Sequence, residues 1–170
     1  MTISMYQASV PVFVRALDNL SAILRKAAAH AQARQIDPAV LVNARLAPDM
    51  FPLSRQIQIA TDHARGAGAR LAGLERPSYP DNETGFDELQ ARIARTIAYL
   101  RTLTPAQIDG SEEAAVTIPI RGKDTSFQGQ AYLLDFAWPN FWFHVVTAYA
   151  ILRHNGVELG KLDFMGFAPA

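Results

Sequence analysis

Apolar residues recur every three or four positions over the first 35 residues, which is the spacing of one face of an α-helix. This repeat predicts a first helix that lasts until about Gln35. Pro11 lies near its start, where a proline either kinks a helix or belongs to its first turn. We therefore expect a kink at Pro11 or a helix that starts just before it. The apolar stripe comprises Tyr6, Val10, Phe13, Val14, Leu17, Leu20 and Leu24.

A short helical segment is predicted where Asp37 precedes Pro38. An aspartate side chain can accept hydrogen bonds from the free N–H groups of a helix start. Proline suits the first helical position because it has no N–H to satisfy. Two further prolines, Pro48 and Pro52, follow, and the residue before a proline disfavours helical backbone angles. We expect a break in the chain near one of them.

The main part of the second helix is predicted from Phe51 to Leu71, with Gly73 ending it. At 100° per residue, Gln56 and His63 lie together roughly 60–80° to one side of the apolar stripe. Both side chains are therefore predicted to point toward a neighbouring helix. The stripe itself consists of Leu53, Ile57, Ala60, Ala64, Ala67 and Leu71.

Residues 74–84 separate the second helix from the third. This stretch is too polar and too rich in proline to be helical, and it is long enough to connect opposite ends of a helical bundle. Thr84 and Asp87 form a capping-box-like pair at the start of the third helix, which ends near Pro105. We expect a long crossover followed by a helix whose apolar stripe is Phe86, Leu89, Ile93, Ile97 and Leu100.

Residues 114–127 interrupt the helical pattern. β-Branched residues alternate here, a Gly-Lys-Asp turn follows at residues 122–124, and a second short extended piece comes after it. The pattern predicts a short β-hairpin or an ordered extended segment. The last helix is predicted from Gln130 to Asn155, with a bend at Pro139 and Gly156 as its end.

His144 lies in the most apolar part of the last helix. The residues within about 60° of its direction are Leu133, Ala137, Asn140, Phe141, Ala148, Ile151 and Asn155. The opposite face carries Trp138, Trp142, Val146 and Tyr149, and it is too apolar to face solvent. We expect the hairpin, the C-terminal residues 156–167 or a second subunit to cover it. A symmetric homodimer is therefore a reasonable prediction.

Composition narrows the classes of function. Sixteen Lys and Arg balance sixteen Asp and Glu with no block of like charge, so the electrostatic footprint of a nucleic-acid-binding protein is absent. The chain has no cysteine, which excludes disulfides and thiolate ligands and is typical of a reducing, cytoplasmic compartment. The chain contains no run of about 18 consecutive apolar residues, so no membrane span is predicted. The common nucleotide, hydrolase and protease motifs are also missing.

Four stretches resemble the signature segments of an uncharacterised domain-of-unknown-function family: MYQASVPVF, RLAPDMFPLSRQ, PNFWFHVVTAYAILRHNGV and GKLDFMG. That family is related to the DinB/YfiT-like candidate metalloenzymes, and the resemblance covers essentially the whole chain. It implies an all-α, DinB-like four-helix bundle as a single domain over residues 1–170, with a long connection between helices two and three. In better-known relatives three histidines hold a divalent metal, one on helix two and two spaced i, i+4 on the last helix. Some relatives are thiol-dependent transferases or isomerases.

This family pattern maps onto His63, Asn140 and His144. His63 matches the ligand on helix two, and His144 matches the final histidine when the following LR..G segment is aligned. Asn140 stands where the relatives have a histidine, and an amide oxygen is a poorer ligand than imidazole for Zn²⁺ or Ni²⁺. The resemblance therefore implies a weakened site for Zn, Ni or Mn between helices two and four. Gln56, which points to the same side of its helix as His63, is predicted to lie in the pocket.

Simpler interpretations of the same residues stay open. His144 can be a buried neutral imidazole bonded to Asn140, to Gln56 or to a backbone carbonyl. His63 can be a partly exposed helix residue beside Asp62, which we expect to face solvent.

Three functions follow from these alternatives. The leading hypothesis is a DinB-like protein of unknown activity whose degenerate metal or ligand pocket takes a small molecule. The first alternative is a divalent-metal-dependent transferase or isomerase, with His63 and His144 holding the ion. The second is a non-enzymatic dimer that presents apolar surface to a partner.

The two remaining histidines are expected to lie outside the site. His154 is predicted to act as a cation at the end of the last helix, and His30 is predicted to lie at the surface.

Overall fold

The computed structural model describes residues 3–167, which form a mostly helical protein with one small antiparallel sheet. The elements are α1 (Met5–Ala33), α2 (Pro38–Val42), α3 (Leu53–Leu71), α4 (Phe86–Leu100), α5 (Pro105–Ile108), β1 (Ala115–Ile120), β2 (Lys123–Gln128), α6 (Gly129–Ala131), a π-helical segment (Tyr132–Ala137), α7 (Trp138–His154) and α8 (Lys161–Met165). Helix α3 packs against α7 and α4, and α1 packs against α4. Within residues 3–167, no helix combines the length and the apolar character needed to cross a membrane.

Helix α1 begins at Met5 and contains Pro11 in its interior. A capping box fixes its start: the Gln7 N–H donates to the Ser4 hydroxyl, and the Ser4 N–H donates to the Gln7 side chain. Pro11 and Gln7 are both exposed, so water can satisfy the carbonyl that the missing proline N–H leaves free. The helix therefore starts six residues before Pro11 and continues through it.

Helix α3 begins at Leu53, two residues later than the predicted Phe51. Phe51 precedes Pro52, and a residue before proline disfavours helical angles, so Pro52 becomes the N-cap. The short helix before it is confirmed: the Ala39 N–H donates to the Asp37 carboxylate over 2.9 Å.

The capping box of α4 is shifted by one residue from the predicted Thr84 and Asp87 pair. Gly85 is the N-cap, so the third helical residue is Glu88 rather than Asp87. The Glu88 carboxylate accepts hydrogen bonds from the N–H and hydroxyl of Thr84 and from the Gly85 N–H. The predicted apolar stripe of this helix is buried.

The predicted β-hairpin is confirmed, with a different turn. Ile120 pairs with Lys123, so the two turn residues are Arg121 and Gly122 rather than residues 122–124. Both have positive φ, 50° and 77°, as a two-residue turn that matches the twist of a hairpin requires. Val116 and Ile118 on β1 are buried.

The last helical run extends from residue 129 to residue 154 and changes type in front of Pro139. The Trp138 N–H bonds to the carbonyl of Leu133, five residues earlier, instead of the usual four. A proline ring clashes with the carbonyl four residues before it in a regular α-helix, and the wider π turns relieve that contact. The last helix ends at His154, one residue before the predicted Asn155, and Gly156 has a φ of 87°.

Helix α8 covers part of the apolar face of α7. The Phe164 ring lies 6.0 Å from the Trp142 ring and 5.9 Å from the Tyr149 ring, measured between centroids. The Asn19 side chain donates to the Phe164 carbonyl over 3.1 Å and holds this helix against α1. The C-terminal segment, one of the three elements predicted to cover this face, therefore contacts it within the same chain.

The contact of Phe164 with α7 predicts a loss of stability on truncation. Phe164→Ala is expected to reduce the free energy of unfolding by about 2 kcal/mol, less than the roughly 3–5 kcal/mol of a fully buried phenylalanine because the ring is partly exposed. Urea unfolding measures the effect. Leu162→Ala is the matched control, since Leu162 lies on the same helix and is 55% exposed. Equal losses in the two variants would contradict the docking of α8.

Candidate functional site

His63 on α3 and His144 on α7 meet where these two helices pack. Their ring centroids are 6.2 Å apart, and the ring planes differ by 13°. His144 is buried at 9% exposure, whereas His63 is partly exposed. Of the three residues of the predicted site, His63 and His144 are the farthest apart in sequence. The structure thus brings their rings together.

Gln56 fixes the orientation of the His144 ring. The Gln56 amide nitrogen donates to the Phe51 carbonyl over 3.0 Å, so its amide oxygen faces His144. That oxygen lies 2.6 Å from Nδ1 of His144, which must therefore carry the hydrogen and donate it. In the neutral ring Nε2 is then the unprotonated nitrogen, with its lone pair free for a ligand. Of the three kinds of partner considered for a buried His144, the structure shows Gln56.

Asn140 uses its amide hydrogens within its own helix. Its Nδ2 donates to the Phe136 carbonyl over 2.7 Å, in the π-helical segment where the regular pattern of backbone bonds changes. Among residues 3–167, no group of three or more His, Cys, Asp or Glu side chains is arranged to hold a metal. Two imidazoles beside a bonded amide do not match the three-nitrogen set of a tight zinc or nickel centre.

An open cleft of about 370 Å³ lies beside His63. Three guanidinium groups line it, from Arg55, Arg70 and Arg76, and Asp62 is its one carboxylate. Its apolar lining comes from α3, from β1 and from the π-helical segment, namely Ile59, Ile118, Pro119 and Phe136. The hairpin thus supplies one wall of a cleft whose polar groups come mainly from α3 and the residues that follow it.

Both histidines are uncharged at neutral pH in this environment. Burial, followed by repulsion from His144, Arg70 and Arg76, lowers the pKa of His63 from 6.5 to about 4. Burial, followed by repulsion from Arg55, lowers the pKa of His144 to about 4 as well. Neutral imidazoles can act as ligands or hydrogen-bond partners, but the surrounding positive charge disfavours a divalent cation.

Asp62 is the centre of an arginine cluster and is partly exposed, so it lines the open cleft and also binds buried side chains that the prediction from sequence did not include. Its Oδ1 accepts hydrogen bonds from Arg65 and from Arg92, both over 2.7 Å, and Arg76 lies 3.7 Å from Oδ2. The side chains of Arg65 and Arg92 are only 1% exposed. The sequence contains one local signal for this arrangement, because Asp62 and Arg65 are spaced i, i+3 on one helix.

The crossover between α3 and α4 closes over this cluster through Tyr79. The guanidinium carbons of Arg65 and Arg95 lie 3.7 and 3.9 Å from the centroid of the Tyr79 ring. Arg92 also binds Glu83 of the crossover over 2.9 Å. The predicted long connection is therefore packed against the two helices that it joins.

The other two histidines lie outside the cleft. His154 is exposed in the last turn of α7, the place where a cation interacts favourably with a helix end. His30 is partly exposed in the last turn of α1. Neither lines the cleft beside His63.

Comparisons with known proteins agree with this architecture. The family described as "Domain of unknown function (DUF1993)" matches residues 5–165. A solved structure described as a DinB family member protein from Shewanella denitrificans is 42% identical in sequence, with a TM-score of 0.88. That match covers 97% of this chain and 93% of the other. None of the curated proteins compared matches the chain.

Proposed function

This chain belongs to the DUF1993 family of unknown function, which is related to DinB proteins, and from that premise we propose that it binds a small molecule in the cleft beside His63 and His144. We also propose that this chain has a weakened form of the site at which its relatives bind a metal. The observation that carries the proposal is the pairing of two neutral imidazoles, 6.2 Å apart, next to a cleft that three arginines line. Asn140 stands at the position that the family pattern gives to the third histidine.

The proposed scaffold is a single DinB-like four-helix bundle made of α1, α3, α4 and α7. The packing of α3 against α7 and α4, and of α1 against α4, supports it. Residues 72–85 then form the long crossover between the second and third bundle helices. In this arrangement the cleft lies between the second bundle helix, the hairpin and the π-helical segment that precedes the last bundle helix.

A weakened site predicts that purified protein retains little metal. Equilibrium dialysis against Zn²⁺, Ni²⁺ and Mn²⁺ in turn is expected to leave less than one ion per chain, because two nitrogen ligands among cations hold these ions poorly. The variant His144→Ala is expected to leave the residual binding unchanged. His154→Ala is the matched control, since it removes an exposed histidine from the same helix.

The weakened site would be contradicted if the protein retained one metal ion per chain. The ion would then be expected to be lost in both His63→Ala and His144→Ala but kept in His154→Ala. This result would favour the alternative, a divalent-metal-dependent transferase or isomerase that is thiol-dependent in some relatives. The free Nε2 of His144, set by the bond from Nδ1 to Gln56, is the observation that favours this alternative.

A homodimer and a cytoplasmic location stay predictions. Phe143 and Val146 on α7 are 57% and 48% exposed, which supports an interaction surface on this helix. Light scattering over a range of protein concentrations tests it, and a mass that stays that of one chain would contradict the dimer. The cytoplasmic location rests on the absence of cysteine.

A further inference from the structure

Arg70 is held in the cleft by contacts that leave its charge uncompensated. Its Nη1 lies 3.1 Å from the Tyr132 hydroxyl, within hydrogen-bonding distance, and its guanidinium carbon is 5.8 Å from the centroid of that ring. Among the ion pairs of residues 3–167, none includes Arg70. A guanidinium that is positioned by a neutral partner keeps its full charge for another ligand.

Gly66 provides the space in which the Arg70 guanidinium lies. A Cβ atom at position 66 would come within 2.5 Å of Nη1 of Arg70 and 3.3 Å of Cδ of Arg76. Gly66 is an interior residue of α3 with no positive φ, so the backbone conformation does not require glycine. The missing side chain therefore serves the placement of the two arginines over this turn of the helix.

The charges that line the cleft sum to a positive value. Three guanidiniums and the Asp62 carboxylate give a net charge of +2. Outside the lining, Asp81 pairs with Arg55. The Asp62 carboxylate is shared by Arg65 and Arg92 and lies 3.7 Å from Arg76. Arg70 is therefore the lining arginine that forms no ion pair among residues 3–167. Positive charge in a concave site attracts small anions and holds them by charge-assisted hydrogen bonds.

We infer that the cleft binds a small organic oxyanion, with a carboxylate or phosphate group on Arg70 and Arg76 and an apolar part against Ile59, Ile118 and Phe136. Arginine matches both kinds of oxyanion because its planar fork of N–H groups can donate two parallel hydrogen bonds. The volume of about 370 Å³ is within the range of sites for small molecules. This inference rests on the proposed function and adds the chemical class of its ligand.

Calorimetric titration of the metal-free protein at low ionic strength tests the inference with three aromatic probes of similar size. Benzoate carries a carboxylate, phenyl phosphate carries a phosphate, and benzamide is the neutral counterpart of benzoate. At least one of the two oxyanions is expected to bind one to one, and more tightly than benzamide. The stronger of the two identifies which oxyanion the cleft prefers.

Two variants remove the arginine contact in different ways. Arg70→Gln deletes the charge, and Gly66→Ala keeps the charge but displaces the guanidinium, while alanine favours the helix more than glycine does. Each is expected to weaken oxyanion binding about tenfold or more, the effect of losing one charge-assisted contact. Arg153→Gln, which removes an exposed arginine on α7, is expected to bind like the natural protein.

Absence of oxyanion binding, or equal binding by the natural protein and both variants, would overturn the inference. Binding of benzamide without either oxyanion would also overturn it, yet would leave a ligand cleft as the proposed function states. The proposed function itself fails on a different readout, the retention of one metal ion per chain in dialysis.

Discussion

Replacing Asp62 by alanine is expected to lower the free energy of unfolding by about 3–5 kcal/mol, the usual cost of leaving a buried charge without its partner. Asp62 binds Arg65 and Arg92 over 2.7 Å each, and both arginine side chains are 1% exposed. Arg92 keeps Asp81 and Glu83 as partners. Arg65 loses its ion pair, and its Nε and Nη1 already lack a hydrogen-bond partner.

Urea unfolding of the Asp62→Ala protein measures this loss, with Asp18→Ala as the matched control. Asp18 lies 3.5 Å from Arg101, and the two side chains are 52% and 64% exposed. An exposed ion pair of this kind contributes at most about 1 kcal/mol. A similar small loss in both variants would show that Asp62 is not the partner of the buried arginines.

Stability is expected to fall as the pH drops from about 6.5 to about 4, because the two paired histidines are harder to protonate in the folded chain than in the unfolded chain. Their pKa is about 4 when folded and 6.5 when unfolded, so between these values the unfolded chain binds more protons. The stabilising effect is therefore fully present above pH 6.5 and is lost toward pH 4. It amounts to on the order of 3 kcal/mol for His144 and to less for His63, which is more exposed.

Urea unfolding at several pH values between 4 and 7.5 measures this dependence. In His144→Gln the slope of stability against pH is expected to become shallower, since one of the two titrating rings is gone. His154→Gln removes an exposed ring and is expected to leave the slope unchanged. An unchanged slope in His144→Gln would mean that the His144 ring is not shielded from protonation in the folded protein.

Helical periodicity was sufficient to predict how α3 and α7 present their polar residues. Gln56 and His63 were expected to point together toward a neighbouring helix, and they contact or face His144 on α7. This worked because a regular helix fixes the direction of each side chain at 100° per residue. The direction is local information, and the long apolar stripes of the helices leave few ways to pack them.

The arginine cluster could not be predicted in the same way. Asp62, Arg65 and Arg92 look like ordinary charged positions of exposed helix faces until residues 74–84 fold back over them. Tyr79 and Glu83 come from that crossover, whose path depends on the packing of the whole chain rather than on a repeat. Burial of charged side chains is paid for by partners distant in sequence, which a periodic pattern does not encode.

Details of backbone geometry were also beyond the pattern. The hairpin turn lies at Arg121 and Gly122, because the strand register rather than the most polar tripeptide decides its place. Pro139 was expected to bend the last helix, and a π-helical segment precedes it. The carbonyl of Phe136 in that segment accepts a hydrogen bond from the Asn140 amide. Asn140 therefore has a structural contact that its mapping onto a metal ligand did not include.

The central claim is that His63 and His144 form a neutral pair at the edge of a cationic cleft, with the His144 ring oriented by Gln56. The imidazole ¹⁵N spectrum of the protein at pH 7 tests it most directly. The account predicts two uncharged rings, with the hydrogen of His144 on Nδ1 and an unprotonated Nε2. A charged His144, or a neutral ring with its hydrogen on Nε2, would contradict it.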